Sequence, residues 1–197
     1  LLTKFTAGWT AVGFNPPSAQ SHRTLCCNLN KPNPSMNYHT FQPNSDLNPL
    51  IKCYWTLEVP AEYSSEKQRI VPDGCMELIF ILGDDIKRYT SENEFLIQPR
   101  AIVVGQITEP FTIQPTGYVY CFATRFYPFG VANFIKTPLK NLENKETPIA
   151  ELFGQTTANE LEQKIIHASS TEQRIEIIEN FLLNKLNEKA TIDNIVK

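Results

Sequence analysis

Asp73, Cys75 and Glu77 occupy alternate positions in RIVPDGCMELIFILG, the stretch from Arg69 to Gly83. Alternate residues of an extended chain share a face, so two carboxylates and a thiol would point the same way. Residues of these types could move protons, attack an electrophile or bind a metal. Each also has a plainer account. Asp73 stands in a Pro-Asp-Gly turn, where Pro presets φ, Asp bonds its own backbone and Gly accepts positive φ. Cys75 serves as a small hydrophobe. Only Glu77 is out of place, because a carboxylate between apolar neighbours costs free energy unless it is paired or near water.

Arg125 raises the same question with the opposite sign. In TGYVYCFATRF it shares a face with Gly117, Val119, Cys121 and Ala123, whose small side chains leave room for a guanidinium. It could pair with a carboxylate such as Glu77 or clamp an anionic effector. The internal pair ranks first, and the two roles are compatible in different states. Glu77, Arg125, Trp55, Tyr118 and Tyr120 are therefore the candidate effector pocket, although for the three aromatic residues a place in the core ranks first.

Enzyme signatures are lacking. The three histidines are His22, His39 and His167, and none falls on a strand expected from the pattern, as a metal site inside a barrel would require. G-x-S-x-G, a phosphate loop and a dinucleotide fingerprint are absent from the sequence. No catalytic residue, metal ligand or cofactor is assigned, and the chain is expected not to be an enzyme. Its five cysteines form no CxxC and are odd in number, which fits reduced thiols in a cytoplasmic protein. No apolar run nears the ~20 residues of a membrane helix. A net charge of −3 argues against a grip on a phosphate backbone by this chain alone.

The elements that would position these residues are strands first and helices later. In IKCYWTLEV, Ile51, Cys53, Trp55, Leu57 and Val59 share one face; Lys52, Tyr54, Thr56 and Glu58 share the other, expected to be wet. Arg69–Val71 and Cys75–Leu82 read as strands bent at Pro72-Asp73-Gly74, followed by IKRYT, AIVVG, FTIQ and TGYVYCFATRF. Short strands parted by turn signals suggest a barrel or jelly roll. After Phe126 the texture is helical. PFGVANFI reads as a short helix, Thr147 as the cap of PIAELF, and TANE (Thr157–Glu160) and STEQ (Ser170–Gln173) as capping boxes. The last helix carries Ile175, Ile178, Leu182 and Leu186 on one stripe, which suits packing on its own chain or a dimer seam. Strands followed by helices make an α+β chain.

The expected divisions are residues 1–35 as a leader, 36–127 as a β-barrel, 128–190 as a helical dimerisation or linker segment, and 191–197 as the start of a further domain. The leader has three basic residues, no acidic one and four prolines. With Met36 behind it, it reads as upstream sequence carried in frame, or else as a disordered extension.

The succession of Tyr54-Trp55, VPDGCMELIF, VVGQIT and TRFYPFGVANFI resembles the sensor domain of AraC-type transcription regulators. The matching elements are Pro72-Asp73-Gly74 and Arg125-Phe126-Tyr127-Pro128-Phe129-Gly130, and the likeness runs from Met36 to the C-terminus. It implies a cupin-like antiparallel barrel, then helices used for homodimerisation, then a DNA-binding domain with two helix-turn-helix motifs. The chain departs from that pattern by ending at TIDNIVK, with Thr191 expected to cap the first helix of the missing part. The resemblance thus implies a cytoplasmic, effector-sensing and dimerising part of a regulator that meets promoter DNA only through absent residues. A stand-alone cupin-like binder or enzyme with a helical tail is the alternative.

Overall fold

A computed structural model describes residues 36–64 and 66–195 of the chain, with side chains of the last helix described as far as Leu186. The expected leader therefore lies outside the described residues. Among the described residues, ten strands are arranged in two antiparallel sheets. β1 (Asn37–Phe41), β2 (Ile51–Val59), β9 (Val119–Phe126), β4 (Glu77–Ile81), β7 (Ala101–Val104) and β10 (Glu146–Pro148) lie side by side in that order. The second sheet runs β3 (Gln68–Ile70), β8 (Phe111–Pro115), β5 (Ile86–Tyr89), β6 (Phe95–Ile97). α1 (Ile149–Phe153), α2 (Gln155–His167) and α3 (Thr171–Ile195) follow. The fold is α+β, a jelly-roll sandwich with a helical layer added.

Two cores result from the strand alternation. The inner core lies between the sheets: Trp55, Ile79, Ile102 and Ala123 of the large sheet meet Ile70, Ile86, Phe111 and Ile113 of the small one. The outer core lies between the large sheet and the helices. Tyr54, Leu78, Phe80, Val103 and Phe122 pack there with Leu161, Ile165, Ile178 and Leu182. A strand covered on both faces loses the apolar–polar alternation of a half-wet one, which is why ELIFI of β4 is buried throughout.

This layering corrects the expected wet face of β2. Tyr54 is fully buried and Thr56 nearly so, because the helices cover what alternation alone would leave to water. Ile51 changes sides as well. A register irregularity between Ile51 and Cys53 sends it to the outer core, away from Trp55.

Past Phe126 the chain is less helical than expected. Gly130–Asn133 and Leu139–Leu142 are single 3-10 turns, and β10 returns to pair with β7. Thr147 belongs to that strand and caps nothing; Pro148 precedes α1, and Gly154 ends it. The TANE box also fails, since α2 begins at Gln155 and Thr157 lies inside it. Ser170 does cap α3 by accepting from the Gln173 amide, 3.2 Å. The reciprocal Gln173 side chain accepts from Ser169 rather than from Ser170. α3 then continues through Thr191 to Ile195 without a break, so no helix end marks the boundary expected at 190/191. Val196 and Lys197 fall outside the described residues.

Candidate functional site

Register gathers the buried charges at one end of the sandwich. Across the large sheet Cys53 pairs with Arg125, Arg125 with Glu77, Glu77 with Val104, and Val104 with Glu146. Partners directly opposite in antiparallel strands share a face, so this row projects between the sheets. The loops 71–76 and 105–110 close the same end, each joining one sheet to the other.

The first cluster is built on Arg125. Its Nη2 pairs with the Asp73 carboxylate and its Nη1 donates to Glu77 Oε1 at 3.2 Å. Trp55 Nε1 donates to the same Glu77 oxygen, 3.2 Å. Asp73 is held for this by its turn: its Oδ1 accepts from the Cys75 amide at 3.0 Å, and Gly74 takes φ +79°. Two carboxylates thus share one guanidinium, and all three side chains are under a tenth exposed. One positive charge cannot neutralise two carboxylates, and the proton belongs on the better-buried acid. Burial pushes the Glu77 carboxyl up to about 8 against the Trp55 hydrogen bond and the Lys52 field. Burial also lowers Arg125 from its ordinary value. Glu77 Oε2 and Arg125 Nε have no hydrogen-bond partner among the described residues, so the cluster keeps polar capacity that those residues do not use.

The second cluster, on Arg88 and Glu146, is not among the residues singled out in the sequence. Arg88 of β5 points inward with Ile86, its guanidinium carbon 3.4 Å from the centre of the Phe111 ring. Its Nε lies 3.8 Å from Glu146 Oε1, which also accepts from Gln98 Nε2 at 2.7 Å. Burial raises the Glu146 carboxyl, opposed by Arg88 and Gln98. Glu77 and Glu146 flank Val104, roughly 10 Å apart at the spacing of two strand intervals, so the clusters are neighbours rather than one network. Alternation in IKRY offered a signal for Arg88; Glu146 offered none while ETP read as a helix cap.

Of the expected pocket residues, Glu77, Arg125 and Trp55 meet, and Tyr118 and Tyr120 do not join them. Tyr118 precedes β9, is exposed, and donates from its hydroxyl to Glu58 at 2.7 Å. Tyr120 faces the helices, where Arg174 Nη1 donates to its hydroxyl at 3.1 Å. His39 lies on a strand after all, on the unanticipated β1, but it is exposed and bonded to Asn37. Of the expected dimer stripe, Ile178 and Leu182 are buried in the chain's own outer core, with Ile175 and Leu186 packed against it. Among the described residues no three or more His, Cys, Asp or Glu are grouped to hold a metal. None of the described helices is long and apolar enough to cross a membrane.

β2 and β9 serve two sites at once. Trp55 and Arg125 face the cluster, while the adjacent Tyr54 and the nearby Tyr120 face α3. Glu179 of α3 accepts from the Tyr54 hydroxyl at 3.2 Å, the Asn44 amide at 2.9 Å and the Asn44 side chain at 2.8 Å. Arg174 of α3 also donates to the carbonyls of Ile165 and Ala168, at 3.1 and 2.9 Å.

Residues 39–148 match a family described as a domain of unknown function, DUF6597. No curated protein matches the chain. Among solved structures, an HTH_3 family transcriptional regulator from Vibrio cholerae is similar at 16% identity and TM-score 0.35, covering 48% of this chain and 52% of that one. The Cupin_2 domain of an XRE family transcriptional regulator from Enterobacter cloacae is similar at 10% identity and TM-score 0.35, covering 48% of this chain and 98% of that one. The present chain thus spans about half the length of the Vibrio cholerae regulator. The matched stretch runs from within β1 to the end of β10 and contains both charged clusters, and by that match the chain belongs to the DUF6597 family.

Proposed function

We propose that the chain is the effector-sensing and dimerising part of an AraC-type transcription regulator, acting in the cytoplasm and without enzymatic activity. The single observation that supports this reading is the double use of β2. Trp55 hydrogen-bonds the buried cluster on one face, and Tyr54, the next residue, hydrogen-bonds Glu179 of α3 on the other. A ligand that engages the unused polar capacity around Glu77 and Arg125 would bias two arrangements of that strand, and with it the helix that leads toward the C-terminus. A ligand shifts such an equilibrium only by its differential affinity for the two arrangements. Homodimerisation remains part of the proposal. Its seam would use residues other than Ile178 and Leu182, which the chain's own core occupies.

The test is to translate the coding DNA beyond Lys197 and to place the whole reading frame on a promoter reporter. The expected result is a further domain with two helix-turn-helix patterns and a reporter whose response to effector is lost in Tyr54→Phe. A stop codon directly after Lys197 overturns the reading in favour of a stand-alone binder. Sequence-specific promoter binding by residues 36–197 alone also overturns it.

A further inference from the structure

A cavity of about 740 Å³ opens beside the second cluster, bounded by the turn at residues 90–92, the segment 107–112 and Lys67. Its volume falls within the ~300–1,000 Å³ of small-molecule sites. Arg88 lines it and is stacked on Phe111. The stack fixes the plane of the guanidinium, yet its hydrogen-bonding fork is hardly used. Its ion pair to Glu146 is long, 3.8 Å from Nε, and Nη1 is buried with no hydrogen-bond partner among the described residues. A fixed planar fork with spare donors matches the two oxygens of a carboxylate.

The remaining lining narrows the class. Lys67 stands at the mouth, its ammonium 3.9 Å from the Tyr89 ring centre and donating to the Glu92 carbonyl at 3.1 Å. Glu92 and Glu109 are exposed at the same mouth and repel an anion that carries several charges. Ile107 and Phe111 supply an apolar wall. We propose that this cavity binds a small organic monocarboxylate, with its carboxylate on Arg88 and its apolar body against Ile107 and Phe111. The site lies at the Arg88 cluster, next to that of Glu77 and Arg125, and adds a second ligand position to the sensing role proposed above, from which it takes its physiological meaning.

Direct titration of the 197-residue chain tests the site without reference to transcription. The probes are benzoate, its neutral isostere benzamide, and inorganic phosphate, followed by ¹H–¹⁵N spectra. Benzoate is expected to saturate and to shift the amides of Arg88, Ile107 and Phe111. Benzamide and phosphate should bind at least about tenfold more weakly, as should benzoate to Arg88→Gln, since a charge-assisted fork is lost in each case. Arg88→Lys, which keeps the charge and loses the fork, should also weaken benzoate and serves if Arg88→Gln does not fold. Glu146→Gln removes the competitor for Arg88 and should tighten benzoate binding about threefold, a gain that damaged folding cannot mimic. Lack of saturable benzoate binding at millimolar concentration overturns the site. So do equal affinity for phosphate and benzoate binding unchanged by both Arg88 variants. Benzoate bound through Arg88 with a reporter deaf to every monocarboxylate would deny this site a part in sensing and leave the site itself standing.

Discussion

Tyr54 and Trp55 are consecutive residues that hold opposite sides of one strand: the Tyr54 hydroxyl donates to Glu179 of α3, and Trp55 Nε1 donates to Glu77 in the sandwich interior. Both rings are essentially buried, so neither can move far without disturbing a core. The pleat of β2 thereby joins the charged cluster to the helix through a single peptide unit.

Glu179 is the anchor of that helix, and its removal should be costly. Glu179→Ala leaves the Tyr54 hydroxyl and two Asn44 donors without their acceptor. Hydrogen bonds to a charged group are worth ~1.5–3 kcal/mol each, and non-additivity keeps their sum well below three times that. Urea unfolding should show a loss of about 2–4 kcal/mol for Glu179→Ala and about 1 kcal/mol for Tyr54→Phe, which removes one donor. Equal losses in the two variants would deny Glu179 its anchoring role.

The Asp73–Arg125 pair should behave as a buried ion pair. Arg125→Met strands the Asp73 carboxylate in a nearly closed site, at a cost of ~3–5 kcal/mol. Asp73→Asn in the same chain keeps the side-chain turn, because Asn can accept from the Cys75 amide as Asp73 does, and removes the stranded charge. The double variant is therefore expected to regain more than half of the loss in denaturant unfolding. A double variant no better than Arg125→Met would show that packing around Arg125, and not charge, sets the cost.

Local chemistry was readable in the sequence, and long-range pairing was not. Asp73 and Gly74 make the turn that their types predict. The opposition of Glu77 and Arg125 was suspected because both were charges among apolar neighbours, and register makes them direct partners. The sequence favours a turn role for Asp73, and nothing local shows that the turn also faces Arg125. The alternation of β2 sends Tyr54 and Thr56 to water as in a half-wet strand, and only the helices some 100 residues later contradict it. Tyr118 and Tyr120 failed as pocket residues for a related reason: alternation had already set Tyr120 on the face opposite Arg125, and that face belongs to α3. Glu146 was hidden because three residues ending in proline carry too little period to distinguish a strand from a helix start.

Two glycines should respond oppositely in kind. A Cβ at Gly105 would fall 1.7 Å from the Leu142 carbonyl oxygen, a backbone atom that cannot step aside cheaply. Gly105 also donates its amide to Lys145 at 2.9 Å, so Gly105→Ala should force β7 and β10 apart and displace Glu146. Gly74 has open space around it and only its φ of +79° to defend, so Gly74→Ala should cost ~1 kcal/mol or slightly more. Amide exchange should accelerate across β10 in Gly105→Ala and stay native-like there in Gly74→Ala. Protected β10 amides in both variants would contradict the clash.

Glu77 gives the cluster a defined pH response. Burial pushes its carboxyl up to about 8 in the folded chain, against the Trp55 hydrogen bond and the Lys52 field, whereas an unfolded glutamate titrates near ~4.3. Between those two values the folded state holds a proton that the unfolded state has released. Stability must then fall as pH rises through that window and level off above about 8. Glu77→Gln carries no such proton and keeps an oxygen for Trp55 and Arg125. Subtracting its unfolding free energy from that of the wild type cancels the other titrations, and the difference should move against the wild type from pH 5 to pH 8. A difference that stays flat from pH 5 to pH 8 would mean that Arg125 holds Glu77 ionised, leaving Asp73 as the lesser partner of the guanidinium.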